Sequence, residues 1–162
     1  MMDASFVEIA EVYGAFVRPR LVGVTEPPAV GFVSRIGFVG EQVWGSLELG
    51  LSSQFVAESL PALLRQRGES SERMLSDWAG ELANQVLGRF KNKLRPFSVN
   101  FELNTPVVAS RAASEGFRGR SVARYSSDYG DCSVYLSLST APGLVLSASE
   151  QPEFDDDAVL LF

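Results

Sequence analysis

The sequence has no histidine and a single cysteine, and these absences exclude several kinds of site. Without histidine, the Ser/His and Cys/His pairs that many hydrolases use to activate a nucleophile are missing. A zinc site is disfavoured for the same reason, since histidine and cysteine are its usual ligands. The lone Cys132 also rules out an intramolecular disulfide and is typical of a reducing compartment. Catalysis by this chain would therefore depend on carboxylates, amides, hydroxyls or groups that a partner supplies.

Basic residues and long apolar runs are also scarce. The 162 residues include 14 Lys and Arg against 20 Asp and Glu, which gives a net charge of −6. Affinity for a phosphate backbone needs the opposite balance, so nucleic-acid binding is disfavoured. No apolar run reaches the roughly 18–20 residues of a membrane span, and Asp3, Glu8 and Glu11 interrupt the stretch where a signal peptide would lie. We therefore expect a cytoplasmic protein with no membrane or nucleic-acid partner.

The apolar periodicity predicts an α+β fold in which a largely antiparallel β-sheet packs against helices. A period of two indicates a β-hairpin over residues 32–51, turned at residues 40–42, with Ser46 and Glu48 pointing outward. The predicted helices cover residues 3–18, 53–66 and about 71–94. Later β-structure is predicted at residues 97–103, with a short apolar piece at residues 107–108, a second hairpin formed by residues 116–126 and 131–140, and a final strand over residues 143–149. Ser53 is the expected N-cap of the second helix and Pro61 is expected to break it. We expect one domain over residues 1–149, followed by an acidic tail at residues 150–162.

Four residues of the long helix share one narrow stripe. Asp77, Glu81, Asn84 and Gly88 follow one another at steps of four, three and four residues. They therefore lie within about 60° of one another around the helix axis. The opposite side carries Leu75, Leu82, Val86 and Phe90, with Trp78 and Ala79 at its margins. Such a helix packs its apolar face on a core and exposes a carboxylate and a carboxamide one turn apart.

Spacing alone also allows a second interpretation, in which the stripe is an ordinary solvated helix face. Asp77 would then be a favourable charge near the helix start, and Glu81 and Asn84 would be surface residues without a task. Gly88 weakens a helix by about 1 kcal/mol relative to alanine. That weakening indicates either close packing within the chain or the close approach of a partner.

The order of these features resembles the CheX family of chemotaxis phosphatases, relatives of CheC and FliY. Asp77, Glu81 and Asn84 match the family motif Asp/Ser-x-x-x-Glu-x-x-Asn, and Gly88 extends the likeness of the motif helix. The segments Ile36-Gly-Phe-Val-Gly40 and Gly45-Ser-Leu-Glu-Leu49 resemble the family's hairpin, and Asn104-Thr-Pro-Val-Val108 resembles its Pro-Val-Val element. The single motif is similar to CheX rather than to CheC-type members, which carry two.

The resemblance implies a phosphatase that acts on the phosphorylated aspartate of a CheY-like response regulator. It implies that Asn84 orients the attacking water, a task that suits a carboxamide because it both accepts and donates hydrogen bonds. Glu81 would pair with a lysine of the regulator and set the register of docking. Asp77 and Gly88 would bind the partner, Asp77 at its rim and Gly88 by allowing close approach. No metal or cofactor of its own is expected, because the regulator supplies Mg²⁺.

Two other functions stay open at this point. A non-catalytic CheX-like adaptor would bind a response regulator or another signalling protein without hydrolysing phosphate. An unrelated α+β domain would carry the stripe by accident. The resemblance further implies a homodimer that pairs through sheet edges. It offers no counterpart for the acidic tail at residues 150–162.

Overall fold

An antiparallel β-sheet of seven strands with one long helix packed across it makes up the described part of the chain. The computed structural model describes residues 20–23, 31–65, 71–110, 122–127 and 130–145. Its strands are β1 (Arg20–Gly23), β2 (Phe32–Val39), β3 (Val43–Leu51), β4 (Glu102–Leu103), β5 (Val107–Ser110), β6 (Val122–Ser127) and β7 (Gly130–Thr140). Its helices are α1 (Ser53–Glu58), α2 (Ala62–Arg65) and α3 (Glu72–Leu94), and a 3₁₀ turn at Arg95–Phe97 follows α3. The predicted α+β class with an antiparallel sheet is confirmed.

The sheet is built around the β2–β3 hairpin. Its strand order is β1-β6-β7-β3-β2-β4, and β5 also pairs with β2. The hairpin runs from the pair Phe32–Leu51 to the pair Val39–Trp44, and the amide of Gly40 closes its turn by donating to the carbonyl of Val43 at 2.8 Å. On the side away from β3, two short strands pair with different parts of β2. β4 pairs with Phe38 and Val39, and β5 pairs with Phe32 to Arg35.

The core lies between α3 and the sheet face formed by alternate residues of the hairpin. Ile36, Leu47 and Leu49 are fully buried there, as alternation with a period of two requires. The buried residues of α3 are Trp78, Ala79, Gly80, Leu82, Ala83, Val86, Leu87, Phe90 and Leu94. They cover one side of the helix, so the helix has a fixed rotation against the sheet.

Local signals explain where α3 begins and ends. Ser71 is the N-cap, and its hydroxyl accepts a 3.2 Å hydrogen bond from the backbone amide of Met74. Lys91 and Lys93 in the last turn complement the helix dipole. Pro96 lies in the following 3₁₀ turn, and Ser98 then adopts a left-handed backbone with φ of 58° that redirects the chain. The predicted helix at about 71–94 is confirmed.

Four sequence-based predictions need correction. The first is the final strand at residues 143–149, because its described residues 143–145 form a turn and irregular backbone after β7 ends at Thr140. The N-cap of α1 is Ser52 rather than Ser53, since the Ser52 hydroxyl accepts a 3.1 Å hydrogen bond from the amide of Phe55. Glu48 does point away from α3, but it is only 7% exposed, and on that face its cross-strand neighbours are Arg35 and Tyr135. Residues 97–103 alternate in burial as predicted, yet only Glu102–Leu103 forms a strand.

The predicted break at Pro61 is confirmed, because α1 ends at Glu58 and α2 starts at Ala62. The predicted second hairpin is confirmed over its described part, where β6 pairs with β7 from Ser127–Gly130 to Val122–Tyr135. The predicted helix at residues 3–18, the domain limit at residue 149 and the acidic tail at residues 150–162 lie outside the described residues.

Candidate functional site

The four predicted site residues lie on one face of α3. Asp77 and Glu81 are exposed, and Asn84 and Gly88 are half-buried. Each is about one helical turn from the next, which places neighbouring side chains within reach of one another. The structure therefore brings the four together on a single surface stripe, which we call the motif stripe.

The motif stripe is held in place by the buried side of the same helix. The indole Nε1 of Trp78, the neighbour of Asp77, donates a 3.0 Å hydrogen bond to the hydroxyl of Ser59, and that hydroxyl donates to the carbonyl of Val56 at 3.1 Å. Both contacts are buried and tie the first half of α3 to α1. Because close-packed interiors leave little freedom, these contacts fix the direction in which the motif stripe points.

Glu81 is oriented by a residue that sequence reasoning did not select. The side-chain Nε2 of Gln85 donates a 2.8 Å hydrogen bond to Glu81 Oε1 in solvent. The two residues are four apart on the helix, the spacing at which an amide and a carboxylate can meet. That spacing was visible in the sequence, and it is the signal by which Gln85 could have been found.

The carboxamide of Asn84 keeps its hydrogen-bonding groups available. Within the described ranges, no hydrogen bond or ion pair engages the side chain of Asp77 or Asn84. A carboxamide offers one oxygen acceptor and two N–H donors. Asn84 can therefore hold a water molecule by its oxygen while its NH₂ group contacts a second group.

The two glycines of α3 occupy different surroundings. A Cβ built on Gly88 would meet nothing within 4 Å, so packing against the described residues does not explain this glycine. A Cβ on Gly80 would lie 3.3 Å from Val108 Cγ2 and 3.6 Å from Pro106 Cγ. Gly80 is thus the position at which α3 approaches the β5 segment closely, a role that the sequence pattern did not predict.

The Asn104–Val108 segment lies beside the motif helix. Pro106 and Val108 contact the Gly80 turn, which is one turn before Asn84. Val107, the cross-strand partner of Arg35, points to the opposite face of the sheet. Pro106 and Val108 therefore form the part of this segment that borders α3 on the Asn84 side of the motif stripe.

Other kinds of site receive no support from the described residues. No group of three or more His, Cys, Asp or Glu side chains among them could hold a metal ion. Burial raises the pKa of the Cys132 thiol well above its usual value, and the nearby charge of Asp131 raises it further. A thiol that stays protonated is a poor nucleophile. Among the described helices, none has the length and apolar character to cross a membrane.

Solved structures with this fold come from several bacteria. Chemotaxis protein CheX from Vibrio vulnificus superposes with a TM-score of 0.69 at 21% identity, covering 85% of this chain and 96% of that one. A CheC-like superfamily protein from Shewanella sp. PV-4 gives 0.67 at 23% identity, covering 85% and 94%. A chain of the CheX–CheY–BeF₃–Mg²⁺ complex from Borrelia burgdorferi gives a TM-score of 0.54 at 17% identity, covering 85% of this chain and 97% of that one. At these identities the likenesses establish the fold.

The family itself is established by sequence. No curated protein matches the chain. The family model described as chemotaxis phosphatase CheX matches residues 32–115, which is slightly more than half of the 162 residues and includes all of α3 with its motif stripe. The chain therefore belongs to the CheX family of chemotaxis phosphatases.

Proposed function

We propose that this protein hydrolyses the acyl phosphate on the aspartate of a phosphorylated CheY-like response regulator. The observation that carries the proposal is the Glu81–Asn84 pair on the motif helix of a CheX-family chain. Glu81 is exposed, and the half-buried Asn84 lies one turn later with its carboxamide unengaged by the described residues. The Borrelia burgdorferi complex of CheX with CheY supports the choice of a CheY-like partner.

In the proposed reaction, α3 inserts the motif stripe at the regulator's phosphorylated site. The Asn84 oxygen accepts a hydrogen bond from a water molecule and aligns it with the phosphorus, opposite the aspartyl oxygen that leaves. The P–O bond to aspartate breaks as the bond to water forms, which yields inorganic phosphate and a free aspartate. Phosphoryl transfer of this kind depends on positioning and charge stabilisation, and Mg²⁺ and a lysine belong to the regulator.

Glu81 acts in docking. Its carboxylate would pair with the regulator's lysine, and such charge-assisted hydrogen bonds are about twice as strong as neutral ones. Asp77, one turn earlier and exposed, would contact the rim of the partner. Gly88, whose missing side chain leaves open space, would admit the partner's surface close to the helix.

The test uses a regulator of the same organism phosphorylated on its aspartate. Wild-type protein should accelerate loss of the phosphate. Asn84→Ala should lose on the order of 10²-fold or more in rate while retaining most of the binding, by analogy with removing one positioned hydrogen-bonding group. Glu81→Ala should weaken both binding and rate. The control is Asn92→Ala, the same change at an exposed position two turns further along α3, which should retain the wild-type rate.

An adaptor is the competing function. If wild-type protein binds the regulator and leaves the rate of phosphate loss unchanged, the hydrolytic proposal is wrong and the adaptor is correct. If Asn84→Ala and Asn92→Ala hydrolyse at equal rates, Asn84 does not orient the water.

We also propose that the protein pairs with a second copy through a sheet edge. In the described sheet, β1 forms one edge, and β4 and β5 share the other. Edge strands present unpaired backbone groups that can bind a neighbouring strand. Analytical ultracentrifugation should show a dimer at micromolar concentration, and a monomer at high concentration would contradict this proposal.

A further inference from the structure

We infer that Gln85 is a positioning residue that aims the Glu81 carboxylate at the partner without neutralising it. The inference deepens the proposed function and rests on it, since it assigns a task to the neighbour of the docking carboxylate. The observed contact is the 2.8 Å hydrogen bond from Gln85 Nε2 to Glu81 Oε1. It occupies one carboxylate oxygen and leaves Oε2 to accept from a partner.

The chemistry of position 85 supports this role. It lies four residues after Glu81, where a lysine would form the favoured Glu–Lys pair of a helix surface. A lysine there would orient the carboxylate and also cancel its charge. Glutamine orients it with a neutral amide instead. Among the described residues Glu81 makes no ion pair, and its neighbour one turn earlier, Asp77, is also acidic. The surface therefore stays negative for a cationic partner group.

Gln85 also keeps Glu81 away from Asn84. A carboxylate on a helix can reach amides three or four residues later, so Glu81 has both Asn84 and Gln85 as possible donors. The two lie on opposite sides of Glu81, about 100° apart around the axis. In the structure the hydrogen bond goes to Gln85. The carboxamide of Asn84 consequently remains available for the water that the proposed reaction requires.

The experiment measures two quantities for each variant. Binding is measured with a CheY-like regulator activated by beryllofluoride and Mg²⁺, and hydrolysis is measured in single turnover with the phosphorylated regulator. The variants are Gln85→Ala, Gln85→Lys, Glu81→Ala and the double variant Glu81→Ala/Gln85→Ala. The matched control is Gln54→Lys, the same change at an exposed position of α1.

Gln85→Ala should weaken binding by roughly two- to tenfold, the range expected when one side chain must be ordered on association. It should also slow hydrolysis at saturating regulator, because Glu81 can then engage Asn84. Gln85→Lys should weaken binding further, and added salt should reduce the difference from wild type, since the new ion pair is screened. Gln54→Lys should behave as wild type. In the Glu81→Ala background, Gln85→Ala should have no further effect on either quantity.

Additive effects of the two alanine substitutions would overturn the inference, because they would show that Gln85 does not act through Glu81. A Gln85→Lys variant that binds as tightly as wild type would overturn it as well. If wild-type protein binds the activated regulator but does not speed phosphate loss, only the proposed hydrolysis is wrong. The role of Gln85 is then decided by whether the effects of Glu81→Ala and Gln85→Ala on binding affinity are additive. If wild-type protein binds no regulator, both are wrong.

Discussion

The indole of Trp78 and the hydroxyl of Ser59 are joined by a buried 3.0 Å hydrogen bond that links α3 to the end of α1. Trp78 directly follows Asp77, the first residue of the motif stripe, so this contact fixes the helix at the position where the candidate site begins. Ser59 also donates to the carbonyl of Val56, and it therefore connects the two helices through one hydroxyl group.

Ser59→Ala should lower the free energy of unfolding by about 1–3 kcal/mol, because it removes the acceptor of a buried N–H group. Trp78→Phe should also destabilise the protein, through the lost hydrogen bond and the lost ring area. Chemical denaturation of the two single variants and the double variant checks the assignment. The double variant should be less destabilised than the sum of the singles. Strict additivity would show that the two side chains do not interact.

Gly88→Ala should change stability and function in opposite directions. The added methyl group meets nothing within 4 Å, so the helix should gain up to about 1 kcal/mol from its better propensity. If a partner approaches this point closely, the same methyl group should weaken binding of the regulator. Thermal unfolding and a binding titration measure the two effects.

Gly80→Ala is the matched control for that substitution in the same helix. Its methyl group would lie 3.3 Å from Val108 Cγ2, so crowding should offset the propensity gain. A Gly88→Ala protein that is stabilised and binds with unchanged affinity would refute a contact at Gly88.

Arg35→Ala should lower the free energy of unfolding by about 1–3 kcal/mol, the range for leaving a buried acceptor without its hydrogen-bond partner. Arg35 Nε donates a 2.6 Å hydrogen bond to Glu48 Oε2, and the Glu48 side chain is only 10% exposed. Removing the cation leaves a nearly buried carboxylate without its ion pair. The Arg35 side chain is 58% exposed, which keeps the loss below that of a fully buried pair.

Arg35→Lys is the informative control for this pair, since it retains the charge and loses the planar guanidinium. Its unfolding free energy should lie between those of wild type and Arg35→Ala. Urea denaturation of all three proteins gives the comparison, and equal stabilities would mean that Glu48 does not depend on Arg35.

The hairpin and the motif helix could be predicted because local sequence signals agree there. The period-two pattern of β2 and β3 and the Ser71 cap of α3 each specify one structure without knowledge of the rest of the chain. The length of β4 could not be predicted. Burial alternates over residues 98–102 as it would in a strand, but residues 97–101 lie beyond the end of β2, which stops at Val39, so they have no residue of β2 to pair with.

In the candidate site, too, some features follow from the local sequence and others depend on tertiary contacts. The motif stripe follows from spacing, since residues three or four apart share a helix face wherever the helix packs. The burial of Glu48 and the close approach of Gly80 to Pro106 depend on how segments distant in the sequence pair and pack. Those are tertiary contacts that no local pattern encodes. Whether the Glu81 carboxylate accepts its hydrogen bond from Asn84 or from Gln85 likewise depends on side-chain conformation.

Stability should fall at alkaline pH in two separable steps. Burial raises the pKa of the Cys132 thiol above its ordinary value of 9.0, and burial together with the charge of Glu48 raises the pKa of Tyr135 above its ordinary value of 10.0. In each case the group loses its proton at a lower pH in the unfolded chain than in the folded protein. The unfolded state then binds fewer protons than the folded state, and the free energy of unfolding decreases as pH rises. The loss should begin near pH 9.0 for Cys132 and near pH 10.0 for Tyr135.

Cys132→Ala and Tyr135→Phe separate the two contributions. Denaturant unfolding from pH 7 to 11 should show that Cys132→Ala lacks the decline that starts near pH 9.0. Tyr135→Phe should keep that decline and lack the later one. The folded wild-type protein should also react slowly with a thiol reagent at pH 9, because the buried thiol remains protonated and shielded. Rapid modification of folded protein at that pH would show that Cys132 is accessible and ionised, contrary to its position in the core.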